Sequence, residues 1–213
     1  MYRVLAGILA TRLMPCGRHR PISELSQLTI RPSKPVLVAI GGLSGTGKSV
    51  LARALAPLIM PQPGAVVLRS DVLRKEYFKV SETDRLPESA YRPEITAQIY
   101  EILVLHAVRV LAQGHSVVVD AVFAQEAERV AIRDAARGLS VRFVGFFLVT
   151  DLATRQSRVG RREKDASDAT PDIAALQEHY KIGAVDWTVV DTSGTPEQTL
   201  GQCERQIVYG EAA

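Results

Sequence analysis

Runs of consecutive apolar residues alternate along the chain with segments in which apolar residues recur every three or four positions. The runs are typical of parallel strands buried on both faces, and the longer spacing is typical of helices with one buried face. We predict five strands, at 36–40, 65–69, 116–120, 142–149 and 187–191. We predict seven helices, at 48–59, 71–79, 91–113, 125–137, 151–163, 171–182 and 196–208. The alternation predicts an α/β fold, a three-layer α/β/α sandwich around a five-stranded, mainly parallel sheet.

The loop after the first predicted strand carries a complete phosphate-binding motif. It reads Gly42-Leu43-Ser44-Gly45-Thr46-Gly47-Lys48-Ser49, and a predicted helix continues through Val50. The glycines permit backbone turns that point successive N–H groups at one anion, and the helix N-terminus adds positive charge. We expect Lys48 to reach the outer phosphates and the Ser49 hydroxyl to ligate Mg²⁺. A glycine-rich turn without a ligand is the alternative, but strand and helix flanks favour binding of ATP by residues 42–50.

Length and composition predict one soluble globular domain. The chain has 213 residues, 46% of them hydrophobic and 23% charged, and a net charge of +3, which is too small to indicate nucleic acid by itself. No run approaches the roughly 18 apolar residues of a membrane span. Two cysteines without metal-ligand spacing, Cys16 and Cys203, are expected to be reduced thiols in a cytoplasmic protein.

The domain organisation is predicted from a change of pattern near residue 35. Residues 1–35 are expected to form an N-terminal arm or linker, with a targeting segment as the less favoured alternative because no small-residue cleavage pattern follows. Residues 36–213 are expected to form the nucleotide-binding domain, with a lid at about 155–170.

Two carboxylates stand where predicted strands end, which is where ligands bind in parallel sheets. Asp71 and Arg74 follow the second strand, and Asp71 is expected to accept a proton from a substrate hydroxyl while Arg74 holds the substrate. A helix cap is the alternative for Ser70 or Asp71. Asp120 ends the third strand and is expected to hold Mg²⁺ with Ser49. Ala121 follows it instead of a glutamate, which favours a transferase over a water-activating ATPase.

Arginines cluster in the predicted lid. Arg155, Arg158 and Arg162 fall on one helical face, with Arg161 beside them. The rigid guanidinium suits phosphate oxygens, so we expect Arg158 and Arg162 to contact the transferring phosphate. A solvated basic helix face is the alternative.

The motifs together resemble those of P-loop small-molecule kinases. The resemblance rests on residues 42–49, 69–75 (Arg-Ser-Asp-Val-Leu-Arg-Lys), 117–123 (Val-Val-Val-Asp-Ala-Val-Phe) and 167–169 (Ser-Asp-Ala). The chain is most similar to predicted kinases found alone or as the ATP-binding half of bifunctional aminoglycoside-phosphotransferase-like proteins. More distantly it resembles polynucleotide 5′-hydroxyl kinases, gluconate kinases, zeta-type toxins and chloramphenicol phosphotransferases.

This resemblance implies a P-loop NTPase fold of the nucleoside-kinase type and an ATP-dependent kinase activity. In polynucleotide kinases an Asp-x-x-Arg motif supplies the base and an acceptor-binding arginine, and it matches Asp71 and Arg74. A lid arginine there corresponds to Arg158, Arg161 or Arg162.

We therefore expect a kinase that phosphorylates a hydroxyl of a small molecule and has no membrane as a partner. A polynucleotide 5′-hydroxyl kinase is the alternative enzyme, although the small net charge does not favour nucleic acid. An ATP-binding regulatory module that has no acceptor and serves a protein partner is the alternative outside the enzymes.

Overall fold

The computed structural model describes residues 34–161 and 165–209, which belong to one compact unit, Ser33–Ala213. The arm or linker predicted at 1–35 lies outside the described residues except for its last two positions. Cys16 and the predicted lid arginine Arg162 also lie outside them.

Five strands form one sheet in which every neighbouring pair is parallel. The strands are β1 (Val36–Gly42), β2 (Val66–Arg69), β3 (Val117–Asp120), β4 (Arg142–Val149) and β5 (Thr188–Asp191), in the order β2-β3-β1-β4-β5. The central position of β1 places the phosphate-binding loop between β3 and β4. The predicted α/β fold with a five-stranded parallel sheet is confirmed.

Helices connect the strands and cover both faces of the sheet. They are α1 (Lys48–Leu55), α2 (Ser70–Tyr77), α3 (Pro93–Ala112), α4 (Glu126–Gly138), α5 (Leu152–Gly160), α6 (Pro171–Leu176) and α7 (Pro196–Tyr209). Short 3₁₀ turns lie at Ala56–Leu58, Glu88–Tyr91 and Gln177–His179.

The sheet separates two apolar clusters. On one face, Leu103 of α3 and Ile132 of α4 are fully buried in a cluster with Trp187. On the other face, Leu55 of α1 and Cys203 of α7 are fully buried in the second cluster. Burial raises the pKa of the Cys203 thiol to about 12, so this thiol stays protonated and packs as a small apolar group.

The predicted helix 171–182 is too long. The α-helix ends at Leu176, and the chain is extended from Tyr180. The reason is a polar contact far away in sequence, because the buried Arg129 guanidinium donates to the carbonyls of Ile182 and Ala184 at 2.9 Å each. Those carbonyls are therefore satisfied without a helix.

One helix among the described residues, α3, is long and apolar enough to cross a membrane by length and composition alone. Its residues Ile99, Leu103, Ala107 and Leu111 are instead buried in the first core cluster. Since a core helix passes the same test, α3 is weak evidence for a membrane span.

Candidate active site

Glycine backbone conformations shape the phosphate-binding loop, and a hydrogen bond from Lys48 spans it. Gly42, Gly45 and Gly47 have φ angles of 131°, 89° and 97°, a region that favours glycine. A Cβ at Gly45 would lie 2.5 Å from the carbonyl oxygen of Arg155, so the close approach of α5 also requires glycine. Lys48 Nζ donates to the Leu43 carbonyl at 3.0 Å across the loop.

A buried hydroxyl–carboxylate pair lies beside this loop. The Ser49 hydroxyl donates to Asp120 Oδ2 at 2.6 Å, because the parallel pairing of β1 with β3 brings the ends of both strands together. Arg69, at the end of β2, donates from Nη2 to Ser49 Oγ at 3.1 Å and from Nε to Asp120 Oδ2 at 3.2 Å. Arg69 is a site residue that the sequence did not single out.

The Ser49–Asp120 pair fits a magnesium ion. Both groups present oxygen, the ligand that Mg²⁺ prefers, and Mg²⁺ is usually held by few protein oxygens together with substrate phosphates and water. Within the described residues, no three histidines, cysteines, aspartates or glutamates gather at a metal site. The protein would therefore contribute two oxygens beside the phosphate loop, and nucleotide and water would supply the remaining ligands.

Asp71 faces the same space from the first turn of α2. Burial and then the Asp120 carboxylate raise the pKa of Asp71, while Lys48, Arg69 and a hydrogen bond from the Ser167 hydroxyl act in the opposite direction. A carboxylate with a raised pKa is a stronger base once it is ionised, which suits proton abstraction from a hydroxyl.

These groups line one small cavity of about 30 Å³. Its walls are Ser44, Lys48, Ser49, Ser70, Asp71, Asp120, Val122 and Ser167. The cavity brings the predicted phosphate-binding lysine, the predicted metal ligands and the predicted base together.

A larger cavity of about 590 Å³ lies on the other side of the phosphate loop. Gly45–Val50 form one wall apart from Lys48, and Thr192, Gly194, Pro196 and Leu200 form the opposite wall. Its volume is that of a typical site for a small ligand or cofactor. Both cavities share Ser49, so a nucleotide in the larger cavity would place its phosphates toward Asp71.

The lid arginines do not act as one group. Arg158 lines the larger cavity and donates to the Thr192 carbonyl at 2.7 Å, and Arg161 lines the same cavity. Arg155 is only 1% exposed and pairs with Glu178, so it supports the fold beneath Gly45. Arg162 lies outside the described residues.

Arg74 is buried against the protein and does not face the small cavity. Its guanidinium donates to the Ala90 carbonyl at 2.5 Å and to Thr96 Oγ1 at 3.3 Å, and it stacks on the Tyr91 ring at 4.7 Å. Arg74 therefore holds the 3₁₀ turn of residues 88–91 against α2, the helix that carries Asp71, and any effect of Arg74 on an acceptor is indirect.

Residues 165–168, which we call the 165–168 segment, pair with the end of β2 and with α2. Asp165 Oδ1 accepts from Arg69 at 2.8 Å, and Asp168 Oδ1 accepts from Lys75 at 2.6 Å. Ser167, between them, lines the small cavity together with Asp71. Residues 69–75 and the 165–168 segment therefore contribute side chains to the same site.

Asp168 is the most heavily bonded residue of this segment. Burial acts to raise its pKa, but hydrogen bonds from Lys75, Tyr91 and the Leu86 amide hold the pKa of Asp168 below its ordinary value. Asp168 is therefore ionised at neutral pH and neutralises the buried Lys75.

Gln177 links the end of α6 to the phosphate loop. Its side-chain oxygen accepts from the buried Ser44 amide at 2.7 Å. A glutamine inside a predicted helix gives no sequence signal for such a contact. The Ser-Asp-Ala motif at 167–169, by contrast, was a signal for Ser167 and Asp168, but the sequence did not show what they contact.

Comparisons with known proteins agree with this architecture. An uncharacterised protein of Mycobacterium tuberculosis is 30% identical over 194 residues, which covers 87% of this chain and 36% of that protein. An uncharacterised protein of Mycobacterium bovis matches equally. The chain thus spans about a third of the length of these curated relatives.

Solved structures of small-molecule kinases share the fold. A gluconokinase from Sinorhizobium meliloti superposes with a TM-score of 0.55 at 18% identity, over 82% of this chain and 93% of that protein. The Mycobacterium tuberculosis APS kinase, solved in complex with AMPPNP and APS, superposes with a TM-score of 0.57 at 17% identity, over 80% and 96%. At such identities the likeness shows the fold alone.

The model of the AAA domain family matches residues 37–180, which include the phosphate loop, Asp71, Asp120 and the 165–168 segment. Since this match covers more than half of the sequence and the fold is that of P-loop kinases, the chain belongs to this AAA domain family.

Proposed function

We propose that this protein is an ATP-dependent kinase that transfers the γ-phosphate of ATP to a hydroxyl of a small molecule. One observation carries the proposal: the Asp71 carboxylate shares a cavity with Lys48 and the Ser49–Asp120 pair. A regulatory nucleotide-binding site has no need for a base with a raised pKa in the same cavity as the phosphate-binding lysine.

In this proposal the loop amides and Lys48 hold the outer phosphates of ATP. Mg²⁺, when bound by Ser49 and Asp120, would neutralise charge on the phosphate oxygens. Asp71 accepts the proton of the acceptor hydroxyl as its oxygen attacks the γ-phosphorus. Arg158, on the nucleotide side, adds positive charge, and Arg162 keeps the role expected from its place in the lid.

Arg74 acts in this proposal as a positioning residue. It holds Tyr91 and the 3₁₀ turn of residues 88–91 against α2, the helix that carries Asp71. The need for ATP and the reduced thiol of Cys203 favour a cytoplasmic protein.

A screen of ADP release against sugars, nucleosides, antibiotics and 5′-hydroxyl oligonucleotides tests the proposal, with Lys48→Ala as the blank. We expect turnover with at least one small hydroxyl compound. ATP binding by calorimetry without ADP release for any compound would favour a regulatory module. Turnover only with oligonucleotides would replace the small molecule by a nucleic-acid end.

Asp71→Asn tests the base directly. We expect turnover to fall by about 10²–10⁴-fold, the usual contribution of a general base, with unchanged ATP affinity. Asp172→Asn, an exposed carboxylate at the start of α6, is the matched control and should keep full turnover. Turnover in Asp71→Asn within threefold of the unaltered protein would remove Asp71 from the role of base.

A further inference from the structure

The small cavity already holds a hydroxyl of the chain on the wall beside Asp71. Ser167 lines this cavity together with Asp71, Lys48 and the Ser49–Asp120 pair, and the Ser167 side chain acts to lower the pKa of Asp71. A kinase base needs the hydroxyl of its acceptor within hydrogen-bond reach before transfer. The chain's own serine therefore stands where an acceptor hydroxyl is needed.

Two ion pairs fix Ser167 in this position. On one side, Asp165 accepts from Arg69 at 2.8 Å, and the Asp165 carboxylate also accepts from the Ser167 amide at 3.1 Å. On the other side, Asp168 accepts from the buried Lys75 at 2.6 Å. The segment is thus anchored at both ends, which reduces the entropy lost when the serine hydroxyl is aligned for reaction.

The cavity is small for a separate acceptor. Its volume of about 30 Å³ is far below the roughly 300–1,000 Å³ of a typical small-molecule pocket. Among the described hydroxyls that line it, the Ser167 hydroxyl acts on the pKa of Asp71, while the Ser49 hydroxyl is bonded to Asp120.

We propose that Ser167 is an intramolecular phosphoryl acceptor, so that the protein phosphorylates itself at this residue when MgATP is bound and no external acceptor displaces it. The inference rests on the proposed kinase function. In the step, the bond between the γ-phosphorus and the β–γ bridging oxygen breaks and a bond forms between the γ-phosphorus and Ser167 Oγ. The hydroxyl proton passes to Asp71, and ADP leaves with the electron pair of the broken bond.

Mass spectrometry of the full chain after incubation with MgATP alone tests this. Trypsin cleavage after Lys164 and Lys181 releases residues 165–181, whose only hydroxyl residues are Ser167, Thr170 and Tyr180. We expect fragmentation to place one phosphate on Ser167. Labelling should follow a first-order rate that is independent of protein concentration, and the phosphate should survive acid, unlike an aspartyl phosphate.

Variants separate this inference from a structural role of the serine. Ser167→Ala should lose at least tenfold of the acid-stable label while binding ATP with unchanged affinity, and Ser167→Thr should recover part of it. Ser81→Ala, which removes an exposed hydroxyl that lines neither cavity, is the matched control and should retain the label. Asp71→Asn should abolish labelling without loss of ATP binding.

The outcomes distinguish the two proposals. ATP binding and turnover of an external acceptor without phosphate on residue 167 would overturn the inference and leave the kinase function standing. Phosphate on another residue, or equal label in Ser167→Ala, would also overturn it. Failure to bind MgATP would overturn both.

Discussion

Replacement of Asp168 by asparagine should destabilise the protein strongly, because it removes the partner of a buried cation. Lys75 is 1% exposed and Asp168 is 10% exposed, and their charged groups lie 2.6 Å apart. In Asp168→Asn the Lys75 ammonium loses its counter-charge and keeps only neutral acceptors, the Asp84 carbonyl and the one side-chain oxygen that an amide retains.

The magnitude follows from the burial of this pair. Removing one partner of a buried ion pair costs about 3–5 kcal/mol, and the remaining Asp84 carbonyl places the expectation near the lower end, at about 3 kcal/mol. For a domain of this size, each kcal/mol lowers the melting temperature by about 2–4 °C. We therefore expect a decrease of roughly 6–12 °C.

Urea denaturation followed by circular dichroism measures the loss as a shift of the midpoint at constant slope. Asp186→Asn is the matched control, since Asp186 pairs with Arg133 at the surface with exposures of 56% and 39%. The control should lose about 0.2–1 kcal/mol. The double variant Lys75→Met/Asp168→Asn should be more stable than Asp168→Asn alone, because the unpaired ammonium is gone.

The same pair gives a pH dependence with a defined sign. The folded state lowers the pKa of Asp168, so its contribution to stability is present at neutral pH and is lost as the pH falls below about 3.9 toward the folded-state value. The difference between the unaltered protein and Asp168→Asn should narrow over that range. A loss in Asp168→Asn no greater than that in Asp186→Asn would refute the argument from burial.

Three further outcomes follow from the site. Asp71→Asn should raise the free energy of unfolding at pH 7, because the folded state raises the pKa of Asp71 and so disfavours its charge. This gain should vanish below about pH 3.9, where the carboxyl is protonated in both states, and equal melting temperatures at pH 7 would contradict the prediction. Arg69→Gln should bind Mn²⁺ in the absence of nucleotide at least tenfold more tightly than the unaltered protein, about 1.4 kcal/mol, because the guanidinium no longer competes for Asp120. An unchanged Mn²⁺ affinity would contradict this prediction. Gly45→Ala should lose ATP binding and about 1–3 kcal/mol of stability, because the φ of 89° at Gly45 and the nearby Arg155 carbonyl leave no place for a Cβ. Calorimetry measures the ATP affinity and urea denaturation the stability, and full ATP affinity would contradict the prediction.

The fold and the nucleotide side of the site could be predicted because their signals are local. The phosphate loop is continuous in sequence, and the apolar runs of the strands record burial on both faces. Asp120 was predictable because it ends a strand, and the carboxyl ends of parallel strands lie at the same edge of the sheet as the phosphate loop. Each of these inferences required only the order of the elements.

The acceptor side could not be predicted because its contacts join residues that no local pattern connects, among them the ion pairs of Arg69 with Asp165 and of Lys75 with Asp168. Arg74 has the spacing expected of an acceptor ligand, yet its two terminal nitrogens donate to Ala90 and Thr96. Arg155 has the helical spacing of a phosphate ligand, yet its approach to Gly45 buries it. Sequence spacing determines which side chains share one face of a helix, but it does not show whether that face meets the ligand site or packs against the protein interior.

The pairing of residues 69–75 with the 165–168 segment constrains what an external acceptor must do. Asp165 and Asp168 each neutralise a cation of α2 or of the strand before it, so the segment is attached by charge on both sides of Ser167. A hydroxyl compound that uses Asp71 as its base must enter the cavity that Ser167 lines beside that carboxylate. Because Ser167 belongs to the chain, its effective concentration in this cavity is far above that of a free metabolite. On the proposed mechanism, an external acceptor must therefore gain affinity from contacts beyond its hydroxyl and outside the small cavity.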